Sequence, residues 1–148
     1  MALDKMTGQR IWRIDLPDGV MNRAVVNDAN LFVTCRDGNL YSLDRLTGKI
    51  HWQMPLGSPS ISVPSLAEDR VYAQGIEGRV SCFEQSTGKE IWRFDLATKT
   101  GTRPQLLSSP LVIIDKSKGN RLLVSTELKT NGRSAAVLYC LQERTSSP

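Results

Sequence analysis

The 148-residue sequence predicts an all-β fold, a β-propeller of four-stranded antiparallel blades, of which the chain holds about three. One observation is a glycine that recurs every 40 residues within a shared frame: "LDKMTGQRIW", "LDRLTGKIHW" and "FEQSTGKEIW". A second is that all three tryptophans of the chain fall in this frame, each four residues after its glycine. A third is that each copy holds four short segments rich in β-branched, aliphatic and aromatic residues, separated by Asp-Gly, Glu-Gly or Thr-Gly. A fixed period of this length is typical of solenoids, propellers and arrays.

The segments within each copy predict strands rather than helices. They are too short for paired helices and lack a sustained apolar stripe at helical spacing. We expect antiparallel strands near 24–27, 31–36, 39–44 and 49–55, repeated 40 residues later, with almost no helix. In "NLYSLD" one alternating face is not uniformly apolar, a pattern that a sheet covered on both sides, as in stacked blades, tolerates better than a sheet with one wet face. The repeat frames lie near 1–15 (partial), 16–55, 56–95 and 96–145, within a single domain spanning 1–148.

The turns of each copy have recognisable residue types. Gly38 and Gly78 fall between the second and third predicted strands, where a tight hairpin needs a positive φ. In the following turn the Thr hydroxyl can hydrogen-bond nearby backbone, and the acidic residue three positions earlier can accept turn N–H groups. Because these carboxylates recur once per structural unit, we interpret them as structural and predict no catalytic residue and no metal site.

The tryptophans occupy one fixed position in every fourth strand. Each sheet of a repeat array buries its faces only against its neighbours, so a large ring at this position suits a wedge between successive blades. The predicted docking motif therefore comprises an acidic residue, a threonine, a glycine and a tryptophan in each copy: Asp4, Thr7, Gly8 and Trp12; Asp44, Thr47, Gly48 and Trp52; Glu84, Thr87, Gly88 and Trp92.

Composition excludes several classes of protein. The formal net charge is +4, and residues 99–133 hold seven basic and two acidic side chains but no aromatic ring. This pattern favours solvated loops over a patch for an anionic partner, and we predict no nucleic-acid binding. No apolar run of about 18 residues is present, so no membrane span is predicted, and "MALDKMTGQR" has no signal peptide.

Cysteine and histidine give no support for a reactive centre. Cys35, Cys82 and Cys140 are widely spaced and match neither a complete disulfide framework nor a CxxC motif. We interpret them as strand thiols, with a redox role as the less favoured alternative. His51 is the only histidine and stands beside Trp52, which favours a packing or blade-edge role over a metal cluster or catalytic triad.

The frame Ala-x-Asp-x-x-Thr-Gly-x-x-x-Trp resembles the tryptophan-docking repeat of pyrroloquinoline-quinone (PQQ)-like β-propellers. That family includes quinoprotein dehydrogenases and the envelope lipoprotein of the outer-membrane barrel-assembly machinery. The first copy matches fully from Ala2 to Trp12, whereas Ser42, Cys82 and Glu84 replace the frame's Ala or Asp in later copies. In the dehydrogenases, the resemblance implies PQQ and calcium held by a full propeller, with an adjacent cysteine pair against the quinone. No two cysteines are adjacent here, and no CxxCH haem motif occurs.

Two functional hypotheses follow from this resemblance. The favoured one is a non-catalytic protein-binding or scaffold module that belongs to a larger envelope-associated protein. No cofactor is predicted for it. The alternative is a fragment of a PQQ-dependent quinoprotein dehydrogenase, which would need PQQ and calcium. The expected partner is another protein or a second copy of the chain. The sequence leaves the compartment unknown, and the resemblance implies the periplasm or cell envelope.

The last copy departs from the 40-residue period. Cys82 and Cys140 occupy equivalent places but lie 58 residues apart, and the additional residues are expected in loops at "ATKTGTRPQ", "DKSKGN" and "ELKTNGRSA". At the other end of the chain, residues 1–15 supply the end of a third strand and a fourth strand bearing Trp12. We therefore expect the strand around Arg10–Asp15 to pair with the "VLYCLQ" strand, in the same chain or in a neighbouring one.

Overall fold

The computed structural model describes residues 1–101, 104–115, 117–130 and 133–143. A two-stranded sheet comes first, formed by β1 (Ala2–Leu3) and β2 (Arg10–Trp12). The first blade contains β3 (Val25–Val26), β4 (Asn30–Thr34), β5 (Asn39–Asp44) and β6 (Ile50–Pro55). The second contains β7 (Ser65–Ala67), β8 (Arg70–Gln74), β9 (Arg79–Glu84) and β10 (Glu90–Asp95). After the short helix α1 (Leu96–Thr100), the third blade contains β11 (Leu111–Ile113), β12 (Arg121–Thr130) and β13 (Arg133–Gln142).

The predicted all-β fold of four-stranded antiparallel blades is confirmed. In both complete blades the strands pair in sequence order, and every pair is antiparallel. The strands lie within two residues of the predicted bounds, and the second blade repeats the first 40 residues later. Gly38 and Gly78 adopt φ values of 87° and 96°, as the predicted hairpins between second and third strands require.

The second blade is apolar on both faces because it packs against a neighbouring blade on each side. Between the first and second blades, Phe32 and Leu40 contact a cluster that includes Val71, Ala73 and Phe83. The alternate residues of the second blade turn the other way, and Tyr72, Val80 and Cys82 pack against Leu122 and Val124 of the third. These side chains are at most 1% exposed. This arrangement explains why "NLYSLD" and "RVSCFE" lack a wet face.

Two of the three segments expected as loops contain regular structure. "ATKTGTRPQ" includes most of helix α1, which begins after Asp95, whose carboxylate accepts the Thr98 N–H, and ends at Gly101 with φ 70°. "ELKTNGRSA" lies mostly in strands, because β12 and β13 pair over ten positions, against five between the second and third strands of the other blades. The inserted residues continue the ladder instead of leaving it, so their backbone groups stay hydrogen-bonded. Of the three segments, residues 102–103, 116 and 131–132 lie outside the described residues.

The expected pairing of the two end strands does not form within this chain. In the described part of the chain, β2 pairs with β1 alone and β13 with β12 alone. A β1 neighbour already occupies one edge of β2, and this contact is local in sequence, so it forms at a small entropic cost. Pairing with a neighbouring chain remains a prediction.

Candidate functional site

The first part of the site is the turn between the third and fourth strands of a blade. In the first blade, Asp44 Oδ1 accepts hydrogen bonds from the N–H of Leu46 (2.9 Å), the N–H of Thr47 (2.7 Å) and the Thr47 hydroxyl (2.8 Å). The N–H of Gly48 donates to the Asp44 carbonyl at 2.9 Å, and Gly48 takes a φ of 73°. The hydrogen bonds from Thr47 hold the pKa of Asp44 below its ordinary value, since they favour the charged carboxylate.

The other two turns repeat this geometry with one variation. Asp4 Oδ1 accepts from the N–H of Met6 (2.9 Å) and of Thr7 (2.8 Å), and Gly8 has a φ of 72°. The N–H of Thr7 is the main cause that lowers the pKa of Asp4. In the second blade, the longer Glu84 accepts from the Thr87 hydroxyl. The carboxylates therefore serve as local turn acceptors.

Each of the first two tryptophans lies on the corresponding turn of the next blade. A Cβ placed on Gly48 would stand 2.4 Å from Trp12 Cε3, and one on Gly88 would stand 2.7 Å from Trp52 Cδ2. The indole N–H of Trp12 donates to the Arg45 carbonyl at 3.3 Å, and that of Trp52 donates to the Gln85 carbonyl at 3.1 Å. Glycine is therefore required at this position for two reasons: the backbone has a positive φ, and the indole ring leaves no space for a Cβ.

Trp92 uses a different acceptor. Its indole N–H donates to Glu143 Oε1, a side-chain oxygen. Glu143 holds the frame position of Arg45 and Gln85, because Cys140 is equivalent to Cys82. Sequence reasoning missed this residue, although counting on from Cys140 in the frame would have found it. Thr145 and Ser146, which stand at the frame's Thr and Gly positions, lie outside the described residues.

Glu143 is the centre of a polar cluster between the second and third blades. Its side chain is 10% exposed, and Oε2 accepts from Arg70 Nη1 at 2.7 Å and from the Tyr72 hydroxyl at 3.2 Å. Asn120 Nδ2 donates in turn to the Tyr72 hydroxyl at 3.2 Å. Burial is the main cause that raises the pKa of Tyr72, so this phenol stays a hydrogen-bond donor.

A second set of contacts joins the blades near their innermost strands. The Thr34 hydroxyl donates to the Ser62 carbonyl, and Gln74 Nε2 donates to the Ser108 carbonyl. Thr34 and Gln74 are equivalent in the 40-residue frame, and each ends the second strand of its blade. Blades are therefore tied at both ends of their sheets, by tryptophan outside and by a polar side chain inside.

His51 and the two buried cysteines lie in separate surroundings within the described blades. His51 is partly exposed, with Nδ1 2.8 Å from Asn30 Oδ1 and Nε2 3.7 Å from Asp44 Oδ2. Cys35 and Cys82 are buried free thiols, and burial raises the pKa of Cys82 to about 12, which disfavours the reactive thiolate. Across the described ranges, no three His, Cys, Asp or Glu side chains converge as metal ligands.

The outward face of the third blade carries apolar and polar side chains on one side of its three strands: Leu111, Ile113, Leu123, Leu138 and Cys140, with Arg121, Ser125 and Gln142. Across the sheet, Leu111 pairs with Leu123 and Leu123 with Cys140. Leu138 is 65% exposed and Leu111 60% exposed. The frame equivalents of Leu138 in the first two blades, Leu40 and Val80, are 0% exposed.

Comparison with known proteins places the chain in a family. The model of the PQQ_2 family, described as outer membrane protein assembly factor BamB, matches residues 1–138. The chain belongs to this PQQ-like propeller family. The resemblance inferred from the Trp-docking frame is thereby confirmed. A comparison with curated protein sequences finds no match.

Solved structures show the same fold. BamB from Moraxella catarrhalis superposes with a TM-score of 0.64 and 19% identity, over 84% of this chain and 38% of that one. The quinohemoprotein alcohol dehydrogenase from Comamonas testosteroni has a TM-score of 0.64 and 20% identity, over 84% of this chain and 26% of that one. Quinohemoprotein alcohol dehydrogenase ADHIIG from Pseudomonas putida HK5 has a TM-score of 0.61 and 20% identity, over 84% and 21%. The chain therefore spans well under half the length of these relatives.

In the described part of the chain, no helix is long and apolar enough to span a bilayer.

Proposed function

We propose that this PQQ-like propeller chain is a non-catalytic module that binds another protein or a second copy of itself, as a scaffold in the periplasm or cell envelope. The observation that carries the proposal is the outward face of the third blade. Leu138, the most exposed leucine of this face, stands where the other two blades carry the fully buried Leu40 and Val80. Contiguous apolar surface on a soluble protein is typical of a protein-protein contact.

The shape of this face supports a sheet or another flat protein surface as its partner. Leu111, Leu123 and Cys140 form a row across three strands, and Leu138 follows on the same side of β13. In the first two blades, the equivalent faces receive the neighbouring sheet through Val71 and Phe83 or through Leu122 and Val124. A partner that offers similar aliphatic and aromatic side chains would exclude water from the row.

The dehydrogenase fragment is the less supported function. Its support is the fold shared with quinohemoprotein alcohol dehydrogenases. Against it, the chain has no adjacent cysteines, and Cys82 and Tyr72 are buried groups whose raised pKa values oppose ionisation. The family description as an outer membrane protein assembly factor favours a binding role instead.

Capture from the envelope of a Gram-negative host tests the proposal. The tagged chain would be exported to the periplasm and cross-linked, and its partners identified by mass spectrometry. Leu138→Glu is the matched control, because it places a charge on the exposed face and leaves the buried clusters intact. We expect envelope proteins of the outer-membrane assembly apparatus, or the chain itself, to be enriched over the control. Equal capture by both chains, or alcohol oxidation gained with PQQ and calcium in a dye-linked assay, would refute the proposal.

A further inference from the structure

In the described chain the third blade has three strands, whereas the first two blades have four, and part of an additional fourth strand stands unpaired after β2. The outer edge of β13 carries no strand, and residues 134–142 contain no charged residue, proline or glycine. Such an uncharged edge is a template for strand addition. The other edge belongs to residues 13–15, which follow β2 and have no strand pairing. Their equivalents 53–55 and 93–95 are paired parts of β6 and β10.

The repeat frame fixes how these two edges would meet. In the second blade, Cys82 pairs with Trp92 and Val80 with Phe94; in the first, Ser42 pairs with Trp52 and Leu40 with Met54. Transferring this register to the third blade sets Cys140 opposite Trp12 and Leu138 opposite Ile14. Residue Ile14 already packs against the inward face of the first blade, as Phe94 packs between the second and third.

We propose that a second copy of this chain supplies its strand around Trp12 to the edge of β13, in antiparallel pairing with Cys140 opposite Trp12. The proposal rests on the proposed function, since it names the partner that the third blade binds. The donated strand would lie beside a cleft of about 390 Å³ lined by Trp92, Phe94 and Leu141. It would bring the first blade of its own chain against Leu138 and Leu111, because Trp12 stays on Gly48.

The exchange is favoured over the contact it replaces. Strand β1 has two residues and pairs with β2 at only two positions, Ala2–Trp12 and Leu3–Arg10. The β13 edge adds partners for residues 13–15 and buries Leu138, so it offers a longer ladder and more apolar contact. Arg13 and Asp15 form an ion pair with each other at 2.7 Å, so neither brings an unpaired charge to the edge.

Engineered disulfides test the register between copies. Directly opposed residues in antiparallel strands have Cα atoms roughly 4.5–5.5 Å apart, within the span of a disulfide. A chain carrying Ile14→Cys is mixed with one carrying Leu138→Cys, both in a Cys140→Ser background, and oxidised. We expect a covalent dimer of twice the 16.4 kDa chain mass. The matched control pairs Leu138→Cys with Arg13→Cys, whose side chain turns to the opposite face and should cross-link at least tenfold more slowly.

Sedimentation of the unmodified chain gives an independent readout. We expect a mass of at least two chains, reduced towards 16.4 kDa by Leu138→Glu with unchanged circular dichroism. A 16.4 kDa species together with equal cross-linking of the two cysteine pairs would overturn the proposal. So would a chain carrying both Ile14→Cys and Leu138→Cys that closes on itself as a cross-linked monomer. In either case, capture of envelope proteins by the outward face would leave the proposed binding function standing.

Discussion

Replacing Trp52 with alanine is the most direct perturbation of the blade interface. Trp52 is 8% exposed, and its ring centroid lies 5.8 Å from that of Phe32 and 6.5 Å from that of Phe83. The indole also covers Gly88 and donates to the Gln85 carbonyl at 3.1 Å. The substitution therefore removes packing with both blades and one hydrogen bond between them.

The magnitude follows from the buried area. A tryptophan side chain buries roughly 150–250 Å², worth about 4–6 kcal/mol at roughly 25 cal/mol per Å² as an upper bound. Measured tryptophan-to-alanine losses in cores are about 3–5 kcal/mol. We expect the free energy of unfolding to fall by that amount for Trp52→Ala. Trp12 is only half-buried, so Trp12→Ala should cost about half as much in the free chain.

Urea unfolding followed by far-ultraviolet circular dichroism measures both losses without relying on tryptophan fluorescence. Variant Ile91→Ala is a suitable control, since Ile91 is a neighbour of Trp92 on β10 with an exposed side chain. Its loss should stay below about 1 kcal/mol, as for most surface substitutions. Equal and small losses for Trp52→Ala and Trp12→Ala would show that the rings do not hold the blades together. The docking interpretation would then be wrong.

Three further predictions concern the turn, the polar cluster and a buried thiol. Gly88→Ala should lower the free energy of unfolding by at least about 2 kcal/mol, because Gly88 has a positive φ and its new Cβ would clash with Trp52. The loss should be clearly smaller in a Trp52→Ala background. Additive losses in a double-mutant cycle would contradict the contact. Glu143→Gln should lower the free energy of unfolding in urea by about 1–3 kcal/mol, because the partly exposed Arg70 loses its carboxylate partner. An unchanged unfolding midpoint would show that the ion pair does not contribute to stability. Burial raises the pKa of Cys82 from 9.0 to about 12, so its neutral form contributes stability that is present below about pH 9 and lost as pH rises from 9 towards 12. Cys82→Ala should flatten the decline in that window, and parallel curves for the two chains would refute this role.

Much of the blade could be predicted because its determinants are local and repeated. The hairpin glycines, the Thr-Gly turns and the two-residue alternation of strands each act over a few neighbouring positions. Because two copies of the repeat keep the same 40-residue frame, a strand or turn wrongly assigned in one copy would not have matched the residues of the other. The Asp44 turn and the place of Trp52 in the fourth strand follow from this frame alone.

The rest depends on contacts that the repeat does not encode. Glu143 accepts from Trp92 with a side-chain oxygen, a substitution visible only when Trp92, Arg70 and Tyr72 are placed around it. The added residues of the third blade carry polar types that suit loops, yet they extend β12 and β13. Gln105 exchanges backbone hydrogen bonds of 3.3 and 3.2 Å with Glu127, which supports one side of that extension. This contact bridges 22 residues and has no counterpart in the repeat.

The same packing rule links the blade interiors to the proposed interaction surface. A sheet packed between two others carries apolar residues on both of its faces, and the third blade keeps Leu111, Leu123 and Leu138 on its outward face. Leu138 is 65% exposed for that reason, whereas Leu40 and Val80 at the same frame position are 0% exposed. Exposing such an apolar face to water is unfavourable, so a sheet with matching side chains that covers it is stabilised in that position. The first blade already packs Val33 and Leu43 against Ile14 and thereby offers an inward face built by the same rule. The proposed self-recognition would follow from repeating one interface along the chain.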